Sequence, residues 1–422
     1  MARSLGLHGS CWPSRSQELL LQVALAENER AREAWRAVRP VFDVDELEEG
    51  SYALLPLLSH RLQELAISDP VLPRLRGAYR KTWVINKLSL SLLRRALEAL
   101  NSAGVAAMIV NDALAALRIY TDLGLRPITE LEVVIRPAAA ARAWRALEGA
   151  GWRRLQRPSP PELAVGSTDG LRFEIGEPST AVVLRSHPVI GAAEPGAAEN
   201  ELWGATVETF LDGIPTRAID STAGLLYTCV NGVRGRWWRA IQWVVDATMI
   251  LRSDQAVDWQ RFVRVVERQS LVLPVREALT YLACLLDDPV PLVWHRQILR
   301  APVTRRDVIA YRIGSSGGRI VGSVPHLLGE HARLTRTQPT LRVLVAIPGF
   351  LKRAWGLEHW WWLPPLAVGA LRQRLSQRPT RGRGRASRAV SAPAPLLSRP
   401  PAVPAKAAAN VDVVEISRPT VR

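Results

Sequence analysis

The sequence predicts an α+β fold in which a core of mixed helices and strands lies between helical regions. Apolar residues follow a helical spacing over about the first hundred positions. Short apolar runs separated by turn residues then continue to about residue 219, after which the helical spacing returns. With 422 residues, the chain is long enough to bury a large core.

The N-terminal region contains three predicted helices, at Glu18 to Val38, Tyr52 to Leu65 and Val71 to Leu100. The first should end at Arg39-Pro40, because a residue that precedes proline avoids the α region. On the third, one face carries apolar residues that we expect to be buried, namely Ile85, Leu88, Leu92, Ala96 and Leu100. We assign residues 1–103 to an N-terminal helical region.

Strand-like segments begin at Val105 and alternate with helical segments as far as residue 218. The turn Ser167-Thr168-Asp169-Gly170 favours a hairpin between residues 163–165 and 171–175. The other predicted strands are residues 105–110, 131–135, 206–211 and 214–219, and helices are expected at 111–120 and after Arg136-Pro137. We assign residues 104–218 to an α+β core.

The C-terminal part divides into three regions. Helical spacing over residues 221–231, 237–252, 259–267 and 275–286 predicts a helical domain at 219–300. Residues 301–373 form an extension that contains a Trp-rich segment, with Trp355, Trp360, Trp361 and Trp362. Residues 374–422 are rich in Arg, Gly, Pro and Ala, and this composition predicts a disordered basic tail.

Glu130 and Glu132, the glutamate pair, are the strongest indication of function. They enter the apolar run Leu131 to Ile135 two positions apart, so both side chains project from the same face of a strand. Adjacent carboxylates repel each other unless a cation offsets their charge. The pair therefore predicts either a metal site or a polar edge strand with solvated glutamates.

The segments around the glutamate pair resemble the uncharacterised nucleotidyltransferase family of the DNA polymerase beta-like superfamily. Met108 to Tyr120 resembles the family's strand ending in Leu-Lys-Gly and its following helix ending in Tyr. Arg126 to Ile135 resembles the family motif Arg-Pro-Met-Ser-Asp-Ile-Asp with its apolar run. The segments Trp243 to Asp246 and Phe350 to Leu357 extend the resemblance, which covers roughly residues 17 to 375.

The resemblance implies a nucleotidyltransferase-like core and metal-dependent transfer of a nucleotidyl group from NTP to an unknown acceptor, with Mg²⁺ or Mn²⁺ as the cofactor. Glu130, Glu132 and Glu174 would be the catalytic and metal-binding residues, and Glu174 would also serve as the base for the attacking hydroxyl. The implied nucleotide-binding residues are Asn111, Asp112, Arg118 and Arg126.

The chain departs from the family pattern where chemistry should occur. The pattern has Asp at both positions of the glutamate pair, Lys-Gly at Asn111-Asp112, and Glu-Leu-His at Glu174-Ile175-Gly176. Glu is one methylene longer than Asp, which moves each carboxylate by roughly 1.3 Å, whereas catalytic groups must be held within about 0.5 Å. The alternative function is therefore a catalytically inactive relative that acts as a nucleotide- or partner-binding module or as a scaffold.

Several of these residues could have a structural role instead of a catalytic or binding one. Asn111 is a good helix N-cap, and Asp112 either offsets the helix dipole or replaces a metal ligand. Arg118 and Arg126 contact either phosphate or the glutamate pair. Asp246 is expected to form a buried salt bridge with one of three arginines, Arg234, Arg236 or Arg239.

Charge and cysteine content predict where the protein acts. More than half of the net charge of +16 lies in residues 371–422, which hold eleven Arg or Lys and two Asp or Glu. This tail suggests binding to an anionic membrane surface or to nucleic acid. The Trp-rich segment is expected either to pack against the helical domain or to lie at a membrane interface. The three cysteines are far apart, no signal peptide is evident, and no apolar run reaches roughly 18 residues. We expect a cytoplasmic protein, with peripheral attachment to a membrane as an open alternative.

Overall fold

The computed structural model describes residues 12–48, 50–155, 170–176, 181–187, 197–234, 241–286, 290–305, 307, 308, 311, 328, 331 and 340–354. Its helices are α1 (Arg15–Leu25), α2 (Asn28–Val38), α3 (Leu55–Glu64), α4 (Leu72–Ser102), α5 (Asn111–Arg118), α6 (Ala140–Gly149), α7 (Ala197–Gly204), α8 (Ser221–Arg234), α9 (Gln242–Arg252), α10 (Trp259–Arg268), α11 (Val272–Leu286), α12 (Leu292–Arg300) and α13 (Thr340–Ala354). Its strands are β1 (Ala107–Ile109), β2 (Leu131–Ile135), β3 (Arg153–Arg154), β4 (Leu171–Glu174), β5 (Val182–Arg185), β6 (Thr206–Leu211) and β7 (Ile214–Ile219). The predicted α+β class is confirmed.

The strands form one mixed sheet in the order β3-β4-β5-β2-β1-β7-β6. β2 lies at the centre, antiparallel to β1 and parallel to β5. Every residue of β2 is buried, so the acidic strand is not an edge strand. The charge on Glu132 must therefore be compensated inside the protein.

The N-terminal segment forms two helices where the sequence predicted one helix from Glu18 to Val38. Ser14 and Gln17 make a reciprocal capping box, which begins α1 three residues earlier than expected. Ala26 is in an extended conformation and ends α1, and α2 begins at Asn28. The single-helix prediction is wrong because apolar spacing carries no information about this break.

The N-terminal helices pack against the C-terminal helices. Helix α1 contacts α9 and α11, and the ring of Trp12 lies 5.1 Å from that of Tyr281 and 6.1 Å from that of Trp243. A Cβ atom on Gly232 of α8 would clash with the Trp243 ring, so glycine is required for the close approach of α8 and α9. One buried cluster extends from α1 through the sheet to α12. The domain boundaries at residues 103, 218 and 300 stay predictions.

Some elements lie where the sequence has no periodic apolar pattern, and some predictions fall outside the described residues. β5 and α7 lie in the stretch 176–216, which looked irregular. Three predicted segments are outside the described residues, namely the first hairpin strand (163–165), the Trp-rich segment and the basic tail (374–422). Among the described strands, β4 pairs with β3 and β5. None of the described helices has the length and hydropathy to cross a membrane.

Helix α4 buries a face that matches the predicted one only in part, because Ala96 and Leu100 are buried as expected. Ile85 and Leu88 are 38% and 64% exposed, whereas Asn86 is fully buried. The Asn86 amide donates to the carbonyl oxygens of Leu123 and Arg126, both at 2.7 Å, and accepts from the Ile128 N–H at 2.9 Å. This polar side chain therefore fastens the loop between α5 and β2.

We predict that Asn86→Leu destabilises the protein by about 3–5 kcal/mol, although it introduces an apolar residue into a buried site. The change leaves three backbone groups without their partner, and each costs about 1–3 kcal/mol. Chemical denaturation measures the free energy of unfolding. Leu88→Gln on the same helix is the control and should change it by about 0.5 kcal/mol or less. A larger effect for Leu88→Gln than for Asn86→Leu would contradict the observed orientation of α4.

Candidate functional site

The residues of the candidate site share one face of the sheet. Glu132 of β2 is in register with Val183 of β5, and Val183 is in register with Arg172 of β4. Residues in register project from the same face, as do residues two positions apart on one strand. Arg185 and Glu174 therefore join them on what we call the carboxylate face, so the sheet brings the predicted carboxylates to one side.

Glu132 is held on both of its carboxylate oxygens. Oε1 accepts from Nε of Arg185 at 2.7 Å, and Oε2 accepts from Nδ2 of Asn111 at 2.5 Å. The side chains of Glu132 and Arg185 are only 5% and 6% exposed. The negative charge of Glu132 is thus compensated by a buried guanidinium on the neighbouring strand.

The other two glutamates are also paired with arginine. Nη2 of Arg172 lies 3.0 Å from Oε1 of Glu130 and reaches it across β5. The carboxylate of Glu174 lies 3.9 Å from Nη2 of Arg153, whose side chain is largely exposed. Glu174 is therefore the most loosely held of the three carboxylates.

Asn111 connects helix α5 to strand β2. Its φ angle is +52°, a left-handed conformation that Asn adopts more readily than most residues. Val110 occupies the N-cap position and makes no side-chain capping bond, while the amide of Asn111 donates to Glu132. The prediction that Asn111 caps the helix is wrong, because the helix begins at Asn111 itself, one residue earlier than a cap at that position requires.

Arg126 lies in a buried ionic network. Its Nη2 donates to Oδ1 of Asp112 at 2.9 Å and to Oδ2 of Asp246 at 2.8 Å. The hydroxyl of Tyr120 donates to Asp246 at 2.7 Å, and the second oxygen of Asp112 accepts from the backbone N–H and the hydroxyl of Thr129. Burial by itself would lower the pKa of Arg126, but Asp112 and Asp246 hold it well above the usual value.

This network differs from what the sequence predicted for Arg126 and Asp246. Arg126 pairs with Asp112 and Asp246 rather than with the glutamate pair, and its side chain is 5% exposed. The expected buried salt bridge of Asp246 is present, but its partner is Arg126; the side chains of the three arginines expected as partners lie outside the described residues. The predicted binding of nucleotide by Arg126 would require this network to open.

The second predicted phosphate-binding arginine, Arg118, is in a different environment. It ends α5 and is about half buried, and burial lowers its pKa. Within the part of the chain that the structure describes, it forms no ion pair. The positive charge of Arg118 is thus less compensated than that of Arg126.

These residues do not fit a divalent cation in the arrangement observed. Magnesium requires several oxygens directed at one point, about 2.0–2.1 Å away. Both oxygens of Glu132 and one of Glu130 already accept hydrogen bonds, and β5 separates β2 from β4, which places those two strands roughly 10 Å apart. Among the described residues, no group of three or more His, Cys, Asp or Glu side chains is arranged to bind a metal.

Two cavities in the described part of the chain lie elsewhere. One, of about 500 Å³, lies between α10 and α12, and the other, of about 140 Å³, lies where α7, α8 and α10 meet. Neither is lined by the residues predicted to bind metal or nucleotide.

Arg172 and Arg185 are the site residues that sequence reasoning missed. They lie 42 and 53 positions from the glutamates that they bind. The alternation Arg172, Phe173, Glu174 indicates a shared face for the two charged side chains. The order of the strands decides which carboxylate each arginine contacts, and no pattern in the sequence indicates that order.

The comparison with protein families gives a match. A family model described as uncharacterised nucleotidyltransferase matches residues 51–287, which is more than half of the chain. Searches of curated proteins and of solved structures found no match. The matched region includes α4, the whole sheet and the helices from α5 to α11.

We predict that Asp112→Ala destabilises the protein by about 3–5 kcal/mol. The substitution removes one of the two carboxylates from a buried guanidinium, and losing one partner of a buried ion pair is costly. Thermal or chemical unfolding measures the loss. Glu208→Ala removes an exposed ion pair with Arg217 and is the control, expected to cost less than about 1 kcal/mol. Equal effects of the two substitutions would show that the network contributes no more than a surface pair.

Proposed function

Because the chain belongs to the uncharacterised nucleotidyltransferase family, we propose that it is a non-catalytic member that acts as a binding module or scaffold. Family membership supports nucleotidyl transfer as the general role of the fold. The observation that carries the proposal concerns Glu132, which occupies a metal-binding position of the family motif. Both of its oxygens are bound, by Arg185 and Asn111, in a site that is almost inaccessible to solvent.

Arginine supplies the positive charge that a divalent cation would otherwise provide. Arg172 neutralises Glu130 and Arg185 neutralises Glu132, so the glutamate pair has little net charge with which to attract Mg²⁺ or Mn²⁺. Arginine is always protonated, so this compensation does not depend on pH in the physiological range. A metal ion would have to displace both guanidinium groups, one of which is buried.

The first turn of α5 is also unfavourable for a triphosphate. The N-terminus of a helix attracts phosphate through its free N–H groups and its dipole. Here the carboxylate of Asp112 lies in that turn, bound by Arg126 and Thr129. The family motif has Lys-Gly at this point, whereas Asn111-Asp112 contributes an anion and no cation.

Metal-dependent nucleotidyl transfer is the second candidate function. It is favoured by the position of Glu132 and Glu174 on one face of the sheet and by the loose contact between Glu174 and Arg153. In that case the three glutamates would bind Mg²⁺ or Mn²⁺ and Glu174 would take the proton of the acceptor hydroxyl. Arg172 and Arg185 would first have to leave the glutamate pair.

Enzyme assays and metal titrations distinguish the two functions. We expect the full chain to release no pyrophosphate from a mixture of the four NTPs with either Mg²⁺ or Mn²⁺, and to bind no Mn²⁺ in a calorimetric or electron paramagnetic resonance titration. Pyrophosphate release by the full chain that is lost in Glu132→Gln would overturn the proposal and establish the second candidate.

A variant that removes the arginine beside Glu130 tests whether compensation by arginine excludes the metal ion. Arg172→Gln removes the guanidinium that lies against Glu130, and we expect weak Mn²⁺ binding to appear, because the negative charge of this carboxylate is then less compensated. Arg172 is partly exposed, so this variant should remain folded, which circular dichroism checks. Arg217→Gln, which also removes an arginine from an ion pair on the sheet, is the matched control and should not bind Mn²⁺. If Arg172→Gln is folded and binds no more Mn²⁺ than this control, arginine compensation is not what excludes the metal.

Nucleotide binding without turnover has its own measurement. Arg118 is the predicted phosphate-binding residue whose guanidinium forms no ion pair within the described residues, so we expect any thermal shift produced by NTP without metal to be lost in Arg118→Ala. A shift that survives this substitution would place the nucleotide elsewhere on the protein.

A further inference from the structure

Helix α4 carries an exposed apolar surface at its middle. Leu88, Val84, Ile85 and Trp83 are 64%, 49%, 38% and 37% exposed. We call these four residues the α4 patch. Single exposed apolar residues are common on proteins, but four on adjacent turns of one helix form a continuous surface.

The described elements that pack against α4 approach its other side. These elements include α3, α6, β1 and β7, and α4 meets the core through buried residues that include Asn86, Leu90, Leu93 and Leu97. α4 has 31 residues and is therefore roughly 46 Å long. A helix of this length extends well past the strands of the sheet, so part of its surface needs another partner to become buried.

The surroundings of the α4 patch are basic. Five cationic residues lie on or beside it along the helix, namely Arg76, Arg80, Lys81, Lys87 and Arg95. The sequence from Leu75 to Leu97 contains no Asp or Glu. Two acidic residues close to this stretch are already bound, because Asp122 accepts from Tyr79 and Glu98 pairs with Arg94.

Trp83 and Lys87 interact directly at the edge of the patch. The ammonium of Lys87 lies 5.4 Å from the centre of the Trp83 ring, within the range of a cation–π contact. Tryptophan beside cations, adjoining an apolar stripe, is typical of helices that lie in the interface of a membrane. There the indole and the aliphatic parts of lysine contact the acyl region, while the charges remain at the headgroups.

We propose that the α4 patch is a docking surface for a membrane that contains anionic lipids. Charge complementarity favours this occupant, because a helix segment that carries the five cationic residues and, from residue 75 to 97, no carboxylate matches a negatively charged headgroup layer. A second copy of the chain would place like charges opposite each other, which is unfavourable. The residues of the α4 patch belong neither to the basic tail nor to the Trp-rich segment of the sequence, and the proposal is independent of whether the protein is catalytic.

Vesicle co-sedimentation of the full chain tests the proposal. We expect binding to vesicles of phosphatidylcholine with phosphatidylserine, and weak binding to phosphatidylcholine alone. The double variant Val84→Ser with Leu88→Ser should bind the anionic vesicles at least about tenfold more weakly, since two apolar side chains that would leave water on binding are replaced by polar ones. Each variant retains the basic tail, so the contribution of the tail is the same throughout.

Control variants test whether the loss of vesicle binding is specific to the α4 patch or follows from the loss of any exposed apolar residue. Val41 and Val293 are 73% and 72% exposed and lie outside α4, so the double variant Val41→Ser with Val293→Ser should bind vesicles as the unchanged chain does. Arg80→Gln with Lys81→Gln should weaken binding to anionic vesicles and reduce its dependence on salt, because fewer lipid charges are neutralised. Circular dichroism confirms that each variant is folded.

Three results would overturn the proposal. The first is vesicle binding that does not change in either α4 variant. The second is equal binding to vesicles with and without phosphatidylserine. The third is a dimer in sedimentation experiments without lipid that Val84→Ser with Leu88→Ser converts to monomer, which would assign the patch to a second copy of the chain.

Discussion

The buried guanidinium of Arg126 is the interaction on which the arrangement of the site depends. It joins the first turn of α5 through Asp112 to helix α9 through Asp246, and it comes from the loop that leads into β2. A guanidinium removed from water must have its charge compensated and its N–H groups bonded, and two carboxylates meet that requirement. The position of the loop, and with it the start of β2, is therefore fixed by an ionic contact and not by apolar packing alone.

The same physical requirement explains the carboxylate face of the sheet. Glu132 is buried in a central strand, so its charge must also be compensated nearby. A divalent cation would satisfy several carboxylates at once and would hold them around one point. Arginines satisfy them one at a time, from different strands, and they hold Glu130 and Glu132 apart. The difference between a metal site and a set of ion pairs thus follows from which cations the neighbouring strands supply.

Local features of the fold could be predicted from the sequence, whereas the contacts between distant segments could not. The apolar run from Leu131 to Ile135 predicts β2, and the spacing of the glutamate pair predicts a shared face, because both depend on the period of a strand. The partners of the pair come from β4 and β5, and the sequence does not state that β5 lies beside β2. Asp246 was expected in a buried salt bridge, but its partner depends on how α9 packs against the core.

Helix α4 shows why a correct helix prediction can still misplace part of the buried face. Its apolar residues are compatible with more than one orientation, and the polar Asn86 decides between them, because its side chain bonds three backbone groups of the loop that carries Arg126. Successive residues of a helix are rotated by about 100°, so residues two positions from Asn86 point roughly 160° away from it. Val84 and Leu88 occupy those positions and must face outward when Asn86 faces the loop. The anchoring of the site loop and the exposed α4 patch are therefore two consequences of one helix orientation.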